Sequence, residues 1–165
     1  MLLAPAGTTI GAMTEEVSMK NLLVAVDGSE GSNAAVDEAI TLARDLGAAL
    51  TFVFVRKRPS MLGRPLYERQ VSYDLRRARH TIGEAIETAT AAGVECDGEI
   101  FEGDAADEIV SLADNRRVDL IVVGSRGHGA VAGALLGSVS RAVVQHAHVP
   151  VLVAKHRPAV HTKVA

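Results

Sequence analysis

The chain has 165 residues and a formal net charge of −3, and 48% of its residues are hydrophobic but only 3% aromatic. This length suggests one domain, with a core built of Val, Leu, Ile and Ala. General nucleic-acid binding is disfavoured because it needs clustered positive charge. The sequence contains no apolar run of the roughly 20 residues that span a membrane. The single cysteine excludes an internal disulfide framework and fits a reducing cytoplasm, where we expect the protein to be located.

The two ends of the chain differ in pattern from its middle. Residues 1–18 have no clear apolar period, and we expect a flexible extension there. Met19-Lys20, directly before the first apolar run, resembles an alternative start. One domain is expected over 19–155, followed by a flexible polar tail over 156–165.

Short apolar runs and helical periodicities alternate along the middle of the chain. The apolar runs predict five strands, at 21–26, 50–55, 94–101, 119–123 and 151–154. The periodic segments between them predict four helices, at about 29–46, 67–92, 104–117 and 138–146. This alternation is typical of a parallel α/β sheet built of right-handed crossovers.

Local signals set the predicted helix boundaries. Ser29 and Asp104 are placed as N-caps, while Gly47 and Gly93 are placed as C-terminal stops. The segment 56–66 contains two prolines and a glycine, so we expect a loop before the second helix.

A basic region begins where the second strand ends. A solvated surface is the usual role of such a run. The alternative is that Arg56 or Lys57, leaving the carboxyl end of the strand, helps to hold phosphates. The basic residues are Arg56, Lys57, Arg58, Arg64, Arg69, Arg76, Arg77 and Arg79.

The cysteine and histidine residues do not form a metal-binding pattern. Cys96 belongs to the apolar set of the third strand, and we interpret it as an inert core thiol. His146 and His148 fall at a helix end, where cations favour the helix dipole. No paired Cys or His-x-x-x-His spacing indicates zinc, and no metal site is predicted.

A glycine-rich loop joins the fourth strand to the last helix. The strand ends in Gly124, Gly127 follows, and Gly137-Ser138 opens the helix. Glycine lets the backbone approach a ligand closely and adopt positive φ. The N–H groups at a helix start point at an anion, with the helix dipole behind them. We predict a phosphate cradle; the alternative is a glycine-rich turn without a ligand.

The spacing of this loop differs from the common phosphate motifs. No Gly-Lys-Ser/Thr follows it, and it is not a G-x-G-x-x-G fingerprint. The pattern G-x2-G-x9-G-S resembles the nucleotide-binding signature of the universal stress protein family. The resemblance extends from about Lys20 to Lys155. It includes Val26-Asp27-Gly28-Ser29 after the first strand and a closing Val149-Pro150-Val151-Leu152-Val153.

The resemblance implies a three-layer α/β sandwich. Its five-stranded parallel sheet would have the order 3-2-1-4-5, similar to Rossmann-like folds and to adenine nucleotide alpha hydrolases. In that order the first strand, ending at Asp27, lies beside the fourth, ending at Gly124. Ligands bind outside the carboxyl ends of strands at such a switch point. Two segments far apart in sequence are therefore expected to form one site.

The phosphate end of the predicted site lies in the glycine loop. Backbone N–H groups of Gly127, Gly137 and Ser138, together with the Ser138 hydroxyl, are expected to hold phosphates. Val139 and Ser140 extend this wall at the helix start. Arg126 and His128 could also touch phosphates, although the resemblance does not specify these two positions.

The base and ribose end lies at the strand ends. Gly124 is expected to let the ribose approach. By resemblance, Val26, Asp27 and Val55 line an adenine pocket. Asp27 has a simpler alternative as a turn-forming residue. The full candidate set is Val26, Asp27, Val55, Gly124, Ser125, Arg126, Gly127, His128, Gly137, Ser138, Val139 and Ser140.

The sequence favours nucleotide binding over catalysis. It offers no nucleophile paired with a base and no arginine finger with a water-positioning Gln, so any ATP hydrolysis should be slow. We expect a regulatory stress protein that binds ATP, or AMP or ADP, with Mg²⁺ accompanying the phosphates. Nucleotide occupancy would then set its conformation or its choice of an unknown protein client.

Three alternatives remain at this point. One is a slow ATPase or nucleotidyl transferase, for which neither an HIGH-like pair nor an SGG-x-DS loop is present. Another is a flavin-binding protein, disfavoured by the few aromatic residues. The third is a dimeric interaction module without a nucleotide, against which the complete glycine signature argues.

The fifth strand suggests a homodimer. The segment from Val149 to Ala154 should form an apolar edge of the sheet, which is a liability unless it is covered. Pairing with its copy in a second subunit would cover it, as the family resemblance implies. No nucleic-acid or membrane partner is expected.

Overall fold

The computed structural model describes residues 19–59, 64–127 and 136–155. Over these ranges no helix is both long enough and apolar enough to cross a bilayer. Strands and helices alternate as predicted. They are β1 (Asn21–Ala25), α1 (Glu30–Leu46), β2 (Ala49–Arg56), α2 (Arg64–Ala91), β3 (Cys96–Glu102), α3 (Ala105–Arg116), β4 (Leu120–Gly124), α4 (Ser138–His146) and β5 (Val151–Ala154).

The five strands form one parallel sheet in the order β3-β2-β1-β4-β5. The predicted order is confirmed. β1 is the central strand, and its Leu22 lies in register with Leu50 of β2 on one side and with Leu120 of β4 on the other. The chain therefore changes direction across the sheet between β1 and β4, which creates the expected switch point.

Helices cover both faces of the sheet. On one face α1 and α2 contribute small residues such as Ala35, Ala39 and Ala78, which let the helices pack closely on Phe52. On the other face α3 and α4 pack on a second apolar cluster. Fully burying a side chain such as that of Phe52 stabilises the fold by about 1.5–3 kcal/mol. The result is the predicted three-layer arrangement.

The predicted helix caps are confirmed. The Ser29 hydroxyl accepts a hydrogen bond from the Ser32 N–H over 3.2 Å. Asp104 accepts from the N–H groups of two residues in the first turn of α3. Gly47 and Gly93 adopt the left-handed φ values of 64° and 76° that favour glycine after a helix.

Two predicted boundaries differ from the structure by two or more residues, because β3 begins at Cys96 instead of residue 94 and α2 begins before residue 67. The segment 64–66, expected to belong to a loop, forms the first turn of α2, which begins at Arg64. Pro65 is compatible with this position, because a first-turn N–H has no intrahelical acceptor and the proline ring already holds φ near its helical value.

Cys96 lies at the start of β3 and packs against the core that α1 and α2 cover. It is half-buried, and its Sγ lies 3.7 Å from Thr90 Oγ1 and 3.8 Å from the Ile86 carbonyl oxygen. These contacts agree with the interpretation of Cys96 as a core thiol.

Candidate functional site

A cavity of about 470 Å³ opens at the carboxyl ends of β1, β2 and β4. This volume is within the range of small-molecule sites, and the location is the switch point of the sheet. Ten of the twelve predicted residues line the cavity: Val26, Asp27, Val55, Gly124, Arg126, Gly127, Gly137, Ser138, Val139 and Ser140. His128 lies outside the described residues, and Ser125 is not part of the lining.

Asp27 organises the turn that follows β1. Its Oδ1 accepts a hydrogen bond from the Ser29 N–H over 2.9 Å, and its own N–H donates to Ser32 Oγ over 3.1 Å. Gly28 between them has a φ of 77°, which favours glycine. Asp27 is therefore a turn-forming residue and a cavity-lining residue at once.

The glycines of the loop allow close approach, but they do not use positive φ. The positive-φ glycines of the described chain are Gly28, Gly47 and Gly93, and none of the signature glycines. In the described glycines of the loop, which are Gly124, Gly127 and Gly137, φ lies outside the left-handed region, so the positive φ that glycine permits is not used there.

Two of these glycines make room for other parts of the protein. A Cβ on Gly124 would overlap the backbone of Gly31 in the first turn of α1. A Cβ on Gly127 would overlap the Asp27 carboxylate. Gly31 in turn has no space for a Cβ, because the Arg126 carbonyl oxygen occupies it. Part of the glycine signature thus serves the docking of α1 against the end of β4.

Gly137 is different, because it leaves its space to the cavity. It is the N-cap of α4, with φ −67° and ψ 164°, and among the described residues no side chain caps this helix start. Among the described residues, the atom nearest to a Cβ placed on Gly137 is Arg126 Cα, at 3.6 Å. Its N–H donates to the Ser125 carbonyl over 2.8 Å. In the described structure this N–H is therefore engaged by the protein rather than directed at the cavity.

The first-turn donors of α4 lie beside this space. The N–H groups of Ser138 and Val139 belong to the helix start, where no intrahelical acceptor exists for them. Both residues are exposed and line the cavity. The positive end of the helix dipole and these donors together make a site suited to an anion.

Two predicted serines hold the loop to the sheet. Ser140 is only 6% exposed, and its hydroxyl donates to the Gly124 carbonyl over 2.6 Å. The N–H of buried Ser125 donates to the Ala154 carbonyl over 2.7 Å. Both groups are engaged within the protein, so these serines position the loop and the helix start.

The wall formed by α2 was missed by sequence reasoning. Gln70, Asp74 and Arg77 line the cavity from this helix, and the Gln70 amide donates to Asp74 Oδ1 over 3.0 Å. Arg77 Nη2 donates to the Asp27 carbonyl over 2.7 Å. Gln70, Asp74 and Arg77 are spaced by four and three residues, which places them on one polar face of the helix. No pattern in the sequence indicates that this face closes a cavity.

The basic region divides into two parts. Arg56 and Lys57 line the cavity, a position compatible with the alternative that they help to hold phosphates. The exposed arginines of α2 include Arg69, Arg76 and Arg79. The Arg56 side chain is 15% exposed and forms an ion pair with Glu102, which Arg58 also contacts over 3.1 Å. Arg56 Nη1 is buried without a hydrogen-bond partner in the described structure.

The described residues contain no group of three or more His, Cys, Asp or Glu side chains that could hold a metal ion. His148 Nδ1 lies 3.1 Å from Asp114 Oδ2, and His146 Nδ1 lies 2.9 Å from the Ala142 carbonyl oxygen. The first contact joins the segment after α4 to α3, and the second lies within the last turn of α4.

Fold and site together define a Rossmann-like α/β protein with an anion-suited helix start facing a cavity at the switch point. The sequence matches the family model of the universal stress protein family over residues 19–155, and the chain belongs to this family.

Relatives of known sequence or structure agree with this assignment. The chain is 36% identical over 137 residues to a universal stress protein of Thermus aquaticus, covering 82% of this chain and 98% of that protein. The solved universal stress protein UspA of Lactobacillus plantarum superposes with a TM-score of 0.77 at 26% identity, over 82% of this chain and 97% of that one. A universal stress protein solved in complex with cAMP superposes with a TM-score of 0.63 at 29% identity, over 85% of this chain and 99% of that one.

Proposed function

We propose that the protein binds an adenine nucleotide, with ATP as the main ligand and AMP or ADP as smaller ones, in the cavity at the ends of β1, β2 and β4. The observation that carries this proposal is the start of α4. No side chain in the described part of the chain caps it, and its Ser138 and Val139 N–H groups adjoin the cavity. A ligand phosphate would accept hydrogen bonds from these groups.

The other end of the cavity suits a base and a sugar. Val26 and Val55 offer apolar contacts, and Asp27 provides a carboxylate near the turn. Ionised Asp27 would accept hydrogen bonds from a sugar hydroxyl or an amino group. A family member with 29% identity was solved with cAMP, and this supports an adenine ligand here.

The role that we propose is regulation. The described lining contains no nucleophile paired with a base, so hydrolysis would be slow at most. Mg²⁺ would enter with the phosphates of ATP, since it prefers phosphate oxygens, water and few protein ligands. Nucleotide occupancy would set the conformation of the protein or its choice of a protein client.

A homodimer is part of the proposal. β5 is an edge strand that pairs with β4, and its Val151, Leu152 and Val153 are half-buried. Pairing with β5 of a second copy would satisfy this edge. We further propose that residues 19–155 form one domain, and that the protein works in the cytoplasm, where its one cysteine would stay reduced.

The test is the nucleotide content and affinity of the purified protein. Nucleotide released by denaturation is identified by anion exchange, and ATP with Mg²⁺ is titrated calorimetrically into the apo protein. Gly137→Val fills the space beside the α4 start and should abolish binding. Gly83→Ala, a glycine in α2 with no neighbouring atom within 4 Å of its Cβ position, is the matched control. Absence of ATP binding at millimolar concentration in the wild-type protein refutes the proposal.

A further inference from the structure

Arg77 is the cavity residue that the other assignments leave unexplained. It reaches the cavity from α2, where Nη2 donates to the Asp27 carbonyl over 2.7 Å. Its Cζ lies over the ring of Phe54, 5.7 Å from the ring centroid. The hydrogen bond and the cation–π contact hold the guanidinium at the ends of β1 and β2.

The described lining of the cavity contains little aromatic surface. Phe54 is its one aromatic residue, and this side chain is only 5% exposed. Arg77 lies over the Phe54 ring, so a ligand on that side meets the guanidinium. A guanidinium is planar and delocalised, and it stacks on the faces of aromatic rings and nucleobases.

The position of Arg77 corresponds to the base end of the cavity. β2 and β4 flank β1 on opposite sides, so the end of β2 and the end of β4 are about 10 Å apart. α2 packs on β2 and β3, whereas α4, with its anion-suited start, packs on β5. Arg77 is therefore carried by the side of the cavity opposite α4, and its guanidinium reaches across to Asp27 at the end of β1.

We propose that Arg77 is the base-stacking residue of this site and that its guanidinium plane selects ligands with a purine ring. This proposal rests on the proposed function. The contacts to Asp27 and Phe54 keep the plane in place before the ligand arrives, so less side-chain entropy is lost on binding. A ligand with phosphates but no base gains nothing from Arg77.

The test compares three variants by calorimetry with ATP and with inorganic triphosphate. Arg77→Met removes the plane and the charge, whereas Arg77→Lys keeps a charge and a donor without the plane. Arg76→Met changes the neighbouring exposed arginine, which does not line the cavity, and serves as the control. Because both variants lose the stacking plane, Arg77→Met and Arg77→Lys should each weaken ATP binding at least about fivefold. Triphosphate binding and the Arg76→Met variant should match the wild type.

Each other outcome has a distinct meaning. ATP binding restored by Arg77→Lys, or triphosphate binding weakened by Arg77→Met, indicates a phosphate contact and overturns the proposal. Equal ATP affinity in the wild type and Arg77→Met also overturns it. An equal loss for both ligands, accompanied by a lower Tm, indicates a purely structural role and overturns it as well. If the wild-type protein does not bind ATP, the proposed function itself fails.

Discussion

The Ser140 hydroxyl donates to the carbonyl oxygen of Gly124 over 2.6 Å, which fastens the first turn of α4 to the end of β4. Ser140 is buried, so this bond is shielded from water. It joins the helix start that offers N–H donors to the strand end that borders the cavity. The anion-suited geometry thus depends on a side chain that is itself not available to a ligand.

Ser140→Ala should therefore lower the stability of the protein. It removes the donor from the half-buried Gly124 carbonyl, and losing such a hydrogen bond costs about 0.5–1.5 kcal/mol. The free energy of unfolding from urea titration measures the effect. Ser138→Ala is the matched variant, because the exposed Ser138 lies in the same turn. It should keep the stability and weaken ATP binding; equal stability of Ser140→Ala and the wild type would contradict the structural role.

Gly124 and Gly137 should respond differently to the same substitution. In Gly124→Ala the new Cβ overlaps the backbone of Gly31, so α1 must shift, at a cost of about 1–3 kcal/mol. In Gly137→Ala the nearest atom is 3.6 Å away, and the unfolding free energy should fall by less than about 1 kcal/mol. Denaturant unfolding of both variants checks this. A larger loss of unfolding free energy in Gly137→Ala than in Gly124→Ala would contradict the packing role of Gly124.

Substitutions at the two N-cap residues Ser29 and Asp104 should have similar effects on stability and different effects on ATP binding. Ser29→Ala and Asp104→Ala each remove a helix cap, and each should destabilise the protein by about 0.5–2 kcal/mol. Ser29 lines the cavity and Asp104 does not. Only Ser29→Ala should therefore also weaken ATP binding, as measured by calorimetry. A comparable loss of affinity in Asp104→Ala would show that the cap residues act on the site through stability alone.

The proposed dimer can be tested at the open edge of β5. The carbonyls of Pro150 and Ala154 accept hydrogen bonds from residues at the two ends of β4. The backbone groups of successive residues in a strand point to opposite sides, so the N–H of Val153 points away from β4, to the open edge. Val153→Pro should keep the pairing with β4 and block the pairing with a second copy. Light scattering should change from a dimer mass to a monomer mass. A wild-type protein that is monomeric at micromolar concentration would refute the proposed dimer.

Local signals were sufficient for the elements and their caps. The caps at Ser29 and Asp104 and the stops at Gly47 and Gly93 depend on neighbours within a few residues, and all four were predicted. The start of α2 was missed because Pro65 signals a loop and a first helical turn equally well. The strand order came from the family resemblance, since alternation alone leaves several orders possible.

The sequence by itself determined an alternating α/β chain with a glycine loop before a helix start, because these features arise from periodicity and short-range hydrogen bonds. Only the tertiary structure decided how the glycines and polar side chains are used. Gly124 faces Gly31, Ser140 binds the Gly124 carbonyl, and Arg77 binds the Asp27 carbonyl. The last contact joins residues 50 positions apart. The geometry of such a pair depends on how helices pack on the sheet, and no local pattern in the chain encodes that packing.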